Sequence, residues 1–134
     1  LPGNAGANVI DGGAGTDKIT GGGGADVLTG GSANDTFVYL STSDSTSTAW
    51  DTIRDFTHLA DRIDLSVIDA VPGKGDNAFI WGGTVATANG AWYSLDAANN
   101  TTHIFADTDG NIATAELRID LAGLVTLTAG DFLL

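Results

Sequence analysis

From Leu1 to Val38 the chain carries a nonapeptide repeat that holds its register throughout. Gly3–Asp11 reads GNAGANVID, Gly12–Thr20 reads GGAGTDKIT, Gly21–Thr29 reads GGGGADVLT and Gly30–Val38 reads GGSANDTFV. The frame is G-G-x-G-x-D-x-U-x, where U is large and apolar. Such a frame forces each repeat to turn and then extend. The glycines permit φ > 0 without a Cβ clash. The eighth position holds Ile10, Ile19, Leu28 and Phe37, and the flanking residues alternate away from it, as in a short strand with one buried side chain. Two repeats close one coil, with turns on opposite sides. Turns in register on one side are then two repeats apart, which pairs Asn8 with Asp26 and Asp17 with Asp35.

The sixth position therefore stacks oxygen-bearing side chains, and a short carboxylate in a turn is a hard ligand suited to Ca²⁺. The bare glycine backbone lets carbonyl oxygens crowd around such an ion. Counting one repeat on from Asp35 reaches Asp44, two repeats after Asp26, so Asp44 is expected to cap the stack near or in the site of Asp26. The expected metal site is thus Asn8, Asp17, Asp26, Asp35 and Asp44. The turn backbone of Gly12, Gly13, Ala14, Gly15, Gly21, Gly22, Gly23, Gly24 and Gly30 joins them, for two or more Ca²⁺ ions. A Gly-rich flexible linker shares the composition, but four matches in phase with a periodic apolar residue argue against it. A phosphate-cradling loop needs G-x-x-x-x-G-K-[ST], or G-x-G-x-x-G between strand and helix, and neither context exists. The nonapeptide resembles the calcium-binding parallel β-helix repeat of RTX proteins.

Charge points the same way. The 134 residues hold 16 Asp and one Glu against five Lys plus Arg, a net charge of −12. Preference for Asp over Glu fits turn chemistry and cation ligation. Without cations the compact state suffers self-repulsion. Nucleic acid and anionic membrane surfaces are poor partners for such a charge. No Cys is present, which removes disulfides, thiolate zinc sites and thiol catalysis. No Met is present either, and Leu1-Pro2 fit the eighth and ninth places of an earlier repeat, so a piece of a longer polypeptide is expected. No apolar run long enough to suggest membrane insertion is present.

Beyond the repeats, Phe37–Leu40 extends the last short strand and Ser41–Ala49 reads as a loop. Strand-like runs follow at Asp51–Phe56, Asp61–Leu65, Ala78–Trp81, Ala91–Leu95, Thr102–Ala106, Glu116–Leu121 and Val125–Leu127. Val67–Ala70 and Thr128–Asp131 suit single helical turns. The fold class is all-β: a parallel β-roll of nonapeptide repeats (1–38) continuing into an antiparallel β-sandwich (39–134), one continuous domain.

The stretches DTFVYLSTSDS, DTIRDF, DRIDLSVIDA and LTAGDFLL resemble the C-terminal domain of serralysin-type secreted metalloproteases, and are similar also to alginate epimerase R-modules. The chain departs from the family at Leu59, where Gly is usual, at Ala33, which replaces the fourth Gly of a repeat, and at Asn8, which replaces Asp. The resemblance implies Ca²⁺ held between successive turns, folding conditional on calcium, and secretion to the extracellular space. It also implies an uncleaved C-terminal signal, Gly130–Leu134, read by the type I (ABC) secretion machinery.

Nothing in the sequence marks a catalytic residue. His58 and His103 lie outside any H-E-x-x-H helix, so the zinc site of a metalloprotease is absent, and both histidines read as structural. Asp107-Thr-Asp109-Gly110-Asn111 suggests an EF-hand start, but Gly stands at the fourth place and no Glu at the twelfth, which favours an Asx turn. Trp50, Trp81, Trp92 and Tyr93 suit a sandwich core better than a sugar-stacking surface. Two functions remain. One is a monomeric, calcium-triggered folding and secretion module of a larger enzyme. The alternative is a module binding an extracellular polysaccharide.

Overall fold

The computed structural model describes residues 1–134 and contains almost only β-structure. The strands are β1 (Val9–Asp11), β2 (Lys18–Ile19), β3 (Val27–Thr29), β4 (Thr36–Val38), β5 (Asp51–Ile53), β6 (Arg62–Asp64), β7 (Ile80–Trp81), β8 (Gly90–Asp96), β9 (Thr101–Ala106), β10 (Leu117–Ala122) and β11 (Phe132–Leu133). They form two sheets. One has seven strands in the order β1-β3-β5-β10-β9-β8-β7, the other four in the order β11-β6-β4-β2.

Successive repeats alternate between the sheets, as a two-repeat coil requires. Val9 pairs with Val27 and Lys18 with Thr36, both parallel and both two repeats apart. Pro2 bridges Thr20 with the same offset. Parallel stacking runs on past residue 38: β5 adds to β3, β6 adds to β4, and β11 adds to β6. The antiparallel part is the meander β8-β9-β10, which joins the roll because β10 lies parallel to β5.

The eighth-position residues explain the core. Ile19, Leu28 and Phe37 are fully buried, and Ile53 and Ile63 continue the two rows into β5 and β6. Ile104, Leu117, Ile119 and Leu121 carry the same layer into the meander, and Phe132 closes it against Trp81, ring centroids 4.8 Å apart. Three local expectations are corrected. Val125–Leu127 is not a strand: the Val125 N–H donates to the Thr102 hydroxyl instead of joining a ladder. Val67–Ala70 is a turn and not a helix, with the Asp69 carboxylate accepting from the Val71 and Asn77 N–H groups. The loop after β4 contains a 3-10 turn, Thr42–Asp44, capped by Ser41.

Two non-glycine residues occupy the left-handed region where the family frame has glycine: Ala33 at φ 81° and Leu59 at φ 62°. Each side chain carries a strain of about 1 kcal/mol there. Ala33→Gly and Leu59→Gly are therefore expected to raise stability by about 1 kcal/mol each, less any gain in unfolded-state entropy. Thermal unfolding in calcium checks this, and a lowered midpoint for both variants contradicts it.

Candidate metal centre

Each sixth-position residue sits at the end of a tight turn, just before its strand. At some turn positions the coils stack so closely that only glycine fits. A Cβ on Gly31 would lie 1.9 Å from the Gly13 carbonyl oxygen, and one on Gly22 would lie 2.4 Å from that of Asn4. Within each turn the side chain of the sixth residue folds back on the opening glycine. A Cβ on Gly21 would lie 2.2 Å from Asp26 Oδ2, one on Gly30 2.4 Å from Asp35 Oδ2, and one on Gly12 2.8 Å from Asp17 Oδ2.

The carboxylates form two columns. In the first, Asp26 Oδ1 accepts the Asn8 N–H at 2.7 Å, and Asp51 Oδ1 accepts the Asp26 N–H at 2.9 Å. In the second, Asp35 Oδ1 accepts the Asp17 N–H and Asp61 Oδ1 the Asp35 N–H, both at 2.9 Å. One oxygen of each linking carboxylate is thus bound to backbone. The other is left over in Asp26, Asp35 and Asp51, whose Oδ2 is buried with no hydrogen-bond partner, as is Oδ2 of Asp17 at the end of the second column; in Asp61 it accepts the Thr57 N–H at 2.8 Å. Burying an unpaired charged oxygen costs several kcal/mol, on the order of the whole stability of a small domain when repeated. Oxygen donors in glycine-lined turns, one free lone-pair set per coil, match a hard divalent cation such as Ca²⁺. The residues present fit that ion.

The structure brings Asn8 and Asp26 together, and Asp17 and Asp35, at the expected offset. Gly12, Gly13, Ala14 and Gly15 form the turn stacked on Gly30–Ser32, with Ala14 bridging Ser32. Gly21, Gly22, Gly23 and Gly24 stack on Gly3–Gly6. Asp44 does not take the register place counted for it. Asp51 does, 25 residues after Asp26, and Asp61 follows Asp35 by 26. The insertion of the capped loop displaces the count, and Asp44 Oδ2 instead accepts the Leu40 and Ser41 N–H groups. Its charge still acts on Asp26 and Asp51. Asp55 was missed as well: its two oxygens accept the Gly30 and Gly31 N–H groups and brace the fourth turn. A signal for Asp51 and Asp61 exists in the sequence. Asp51-Thr52-Ile53 and Asp61-Arg62-Ile63 repeat the D-x-U triad of Asp26-Val27-Leu28 and Asp35-Thr36-Phe37 without its glycines.

Burial raises the carboxyl of Asp51 to about 7, with the Asp26 charge contributing, and burial likewise raises Asp26 and Asp61 from 3.8. Tyr39, buried beside Asp51, has its phenol pushed well up, mainly by burial. The histidines are structural. His58 Nδ1 lies 2.7 Å from the buried Asp131, and His103 bridges Asp120 and Asp96. Three of the four large aromatics belong to the fold: Trp92 and Tyr93 are buried, and Trp81 stacks on Tyr93 at 6.0 Å. Trp50 lies beneath the Arg118 guanidinium, 3.8 Å from ring centre to Cζ.

Comparison with known proteins agrees with this architecture. Residues 3–134 match the family described as Peptidase M10 serralysin C terminal. Serralysin C of Dickeya chrysanthemi is 38% identical over 97 residues, which is 72% of this chain but 19% of that protein. The chain therefore spans a small part of its relative's length. The solution structure of the AlgE6R3 subunit of the Azotobacter vinelandii mannuronan C5-epimerase superposes with a TM-score of 0.66 over 98% of this chain and 77% of that one. At 22% identity the likeness is one of fold.

The raised carboxyls set a pH dependence. A carboxyl raised on folding binds its proton more tightly in the folded state, so its stabilisation is full below 3.8 and lost as pH rises to about 7. In EDTA the chain is expected to be more stable at pH 5 than at pH 8. Protons compete with calcium for the same oxygens, so saturating Ca²⁺ is expected to reverse that order. Thermal midpoints at the two pH values check both, and an EDTA midpoint that rises with pH contradicts the expected sign.

Proposed function

This chain belongs to the Peptidase M10 serralysin C-terminal family, and from that premise we propose that it is the calcium-folded, extracellular appendage of a larger secreted protein. It is a calcium-binding β-roll module and corresponds to the family's non-catalytic C-terminal part. The observation that carries the reading is the pair of carboxylate columns linked coil to coil through one oxygen, with Oδ2 of Asp17, Asp26, Asp35 and Asp51 buried and unpartnered. In low calcium the columns repel and the roll stays open. In high calcium an ion in each gap between stacked turns closes it. Asn8, Asp17, Asp26, Asp35 and Asp51 supply side-chain oxygens, and the turns from Gly12 to Gly15, Gly21 to Gly24 and Gly30 supply backbone.

Extracellular calcium modules bind at about 0.1–1 mM, so millimolar Ca²⁺ is expected to switch the roll on. Circular dichroism in EDTA and in millimolar CaCl₂ tests this. Gain of β-signal with calcium is the expected result, and identical spectra contradict it.

The folded module is further proposed to bind a polysaccharide. Likeness of fold to a mannuronan C5-epimerase subunit supports this over a role in export alone. So does the outer face of the seven-stranded sheet, where Trp50, Arg118, His103 and Phe105 form an aromatic and basic strip. Asp120 pairs with Arg118 and His103 on that strip and offsets their charge, so a weak interaction is expected. Affinity electrophoresis in alginate with calcium should retard the chain, and Trp50→Ala should abolish the retardation by removing the stacking surface. Equal mobility with and without the polymer removes the reading.

Export is the remaining role proposed. Gly130–Leu134 would be read as a linear signal before folding, and Phe132–Leu133 then pair with β6 as the last strand. Deleting Phe132–Leu134 from the parent protein is expected to block its secretion through a type I system. Normal secretion of the truncated parent overturns this.

A further inference from the structure

The two carboxylate columns end differently. In the second, Asp61 is satisfied at both oxygens: Oδ1 accepts the Asp35 N–H at 2.9 Å and Oδ2 the Thr57 N–H at 2.8 Å. The turn just before Asp61 supplies that last donor. In the first column Asp51 has no such neighbour. Its Oδ1 accepts the Asp26 N–H at 2.9 Å, and its own N–H donates to the Ser45 hydroxyl at 2.8 Å. Its Oδ2 is buried, and no backbone donor reaches it.

A second polar atom is left over at the same place. Tyr39 directly follows β4 and stands two residues after the buried Phe37, so strand alternation sends its ring into the core from the four-stranded sheet. Its N–H donates to the Asp64 carbonyl at 3.0 Å, which fixes its backbone against β6. Tyr39 is 1% exposed, and its hydroxyl has no hydrogen-bond partner. The polar group set against it is the Asp51 carboxylate, at the start of β5 in the other sheet. A phenol buried where phenylalanine would pack bears the desolvation of its hydroxyl unless a partner takes it. Burial and the Asp51 charge hold the proton on the phenol, so toward a carboxylate it is a donor.

We propose that Tyr39 is a positioning residue of the first calcium column, its hydroxyl donating to Asp51 Oδ2 and fixing that carboxylate for an ion between Asp26 and Asp51. The proposal rests on the calcium reading of the columns. A carboxylate oxygen has two lone pairs, so Oδ2 accepts the phenol on one and keeps the other for the ion. Tyr39 touches the ligand and not the metal, as groups that orient metal-binding carboxylates do. It does from the opposite sheet what the Thr57 N–H does for Asp61 from the adjacent turn. Calcium occupancy at the turns is thereby tied to the packing of one sheet on the other.

The test is the calcium midpoint for folding of the full chain, read by circular dichroism, in Tyr39→Phe, in Asp51→Asn and in the double variant. Tyr39→Phe keeps the ring and its packing. Asp51→Asn keeps an oxygen for the Asp26 N–H and puts an amide donor where Oδ2 stood. Tyr39→Phe alone is expected to raise the midpoint about tenfold, the worth of a hydrogen bond to a charged group. In the Asp51→Asn background it is expected to add nothing, because the two side chains act as one unit. NMR of the tyrosine Cζ atoms in saturating CaCl₂ gives a second reading. The Tyr39 signal is expected to move in Asp51→Asn while that of Tyr93 stays. An effect of Tyr39→Phe that is absent, or equal in both backgrounds, overturns the proposal, as does a Tyr39 signal indifferent to Asp51→Asn. Calcium-driven folding of the unsubstituted chain would survive those results. A chain folded alike in EDTA and in calcium removes the calcium reading and this proposal with it.

Discussion

A carboxylate held between two stacked turns, with one oxygen on a backbone N–H and the other on nothing, is the interaction around which this molecule is organised. Asp26 shows it most fully. Its Oδ1 takes the Asn8 N–H from the coil before, its own N–H goes to Asp51 in the coil after, and its Oδ2 is buried without a partner. The hydrogen bond sets the two-repeat register. The leftover oxygen makes that register costly until a cation completes it. Apolar burial alone is a weak substitute. A repeat contributes one core side chain, worth about 1.5–3 kcal/mol, against the ordering of a whole nonapeptide at about 1 kcal/mol or more per residue.

The same geometry explains how a roll becomes a sandwich. The two rows of core residues, Leu28 to Ile53 and Phe37 to Ile63, pass from glycine-turn repeats into β5 and β6 without a break. Both strands then present parallel edges to later chain: β10 on one sheet, β11 on the other. Ile119 of β10 stands opposite Asp51, so an apolar residue ends the first column where the meander begins. The acidic ladder and the continuous core thus occupy different levels of one stack, the ladder at the turns and the core at the strands between them.

Register within the glycine repeats was legible because each repeat has the same length, and Asn8–Asp26 and Asp17–Asp35 meet as the count requires. The continuation to Asp51 and Asp61 was not, because fixed-interval counting cannot see an inserted loop. That loop places Asp44 in a cap with Ser41 and moves the next column member from position 44 to Asp51. The strands from β8 to β10 were readable from alternation, whereas Val125–Leu127 alternates equally well but has its backbone taken by Thr102. Tertiary hydrogen bonding decided that segment. Leu59 shows the reverse: a departure from the family's glycine, visible in sequence, marks a backbone that is left-handed all the same. Its N–H is held by Asp131 Oδ1, which fixes the turn whatever the side chain.

If the unpartnered oxygens are ligands, calcium must sit between the coils. A crystal structure grown in CaCl₂, with anomalous scattering to locate calcium, tests this directly. Ions are expected in both columns, bound by Oδ2 of Asp17, Asp26, Asp35 and Asp51, with Asp44 outside the ladder. Turns in the same stacking with water at those oxygens and no calcium between the coils would contradict it.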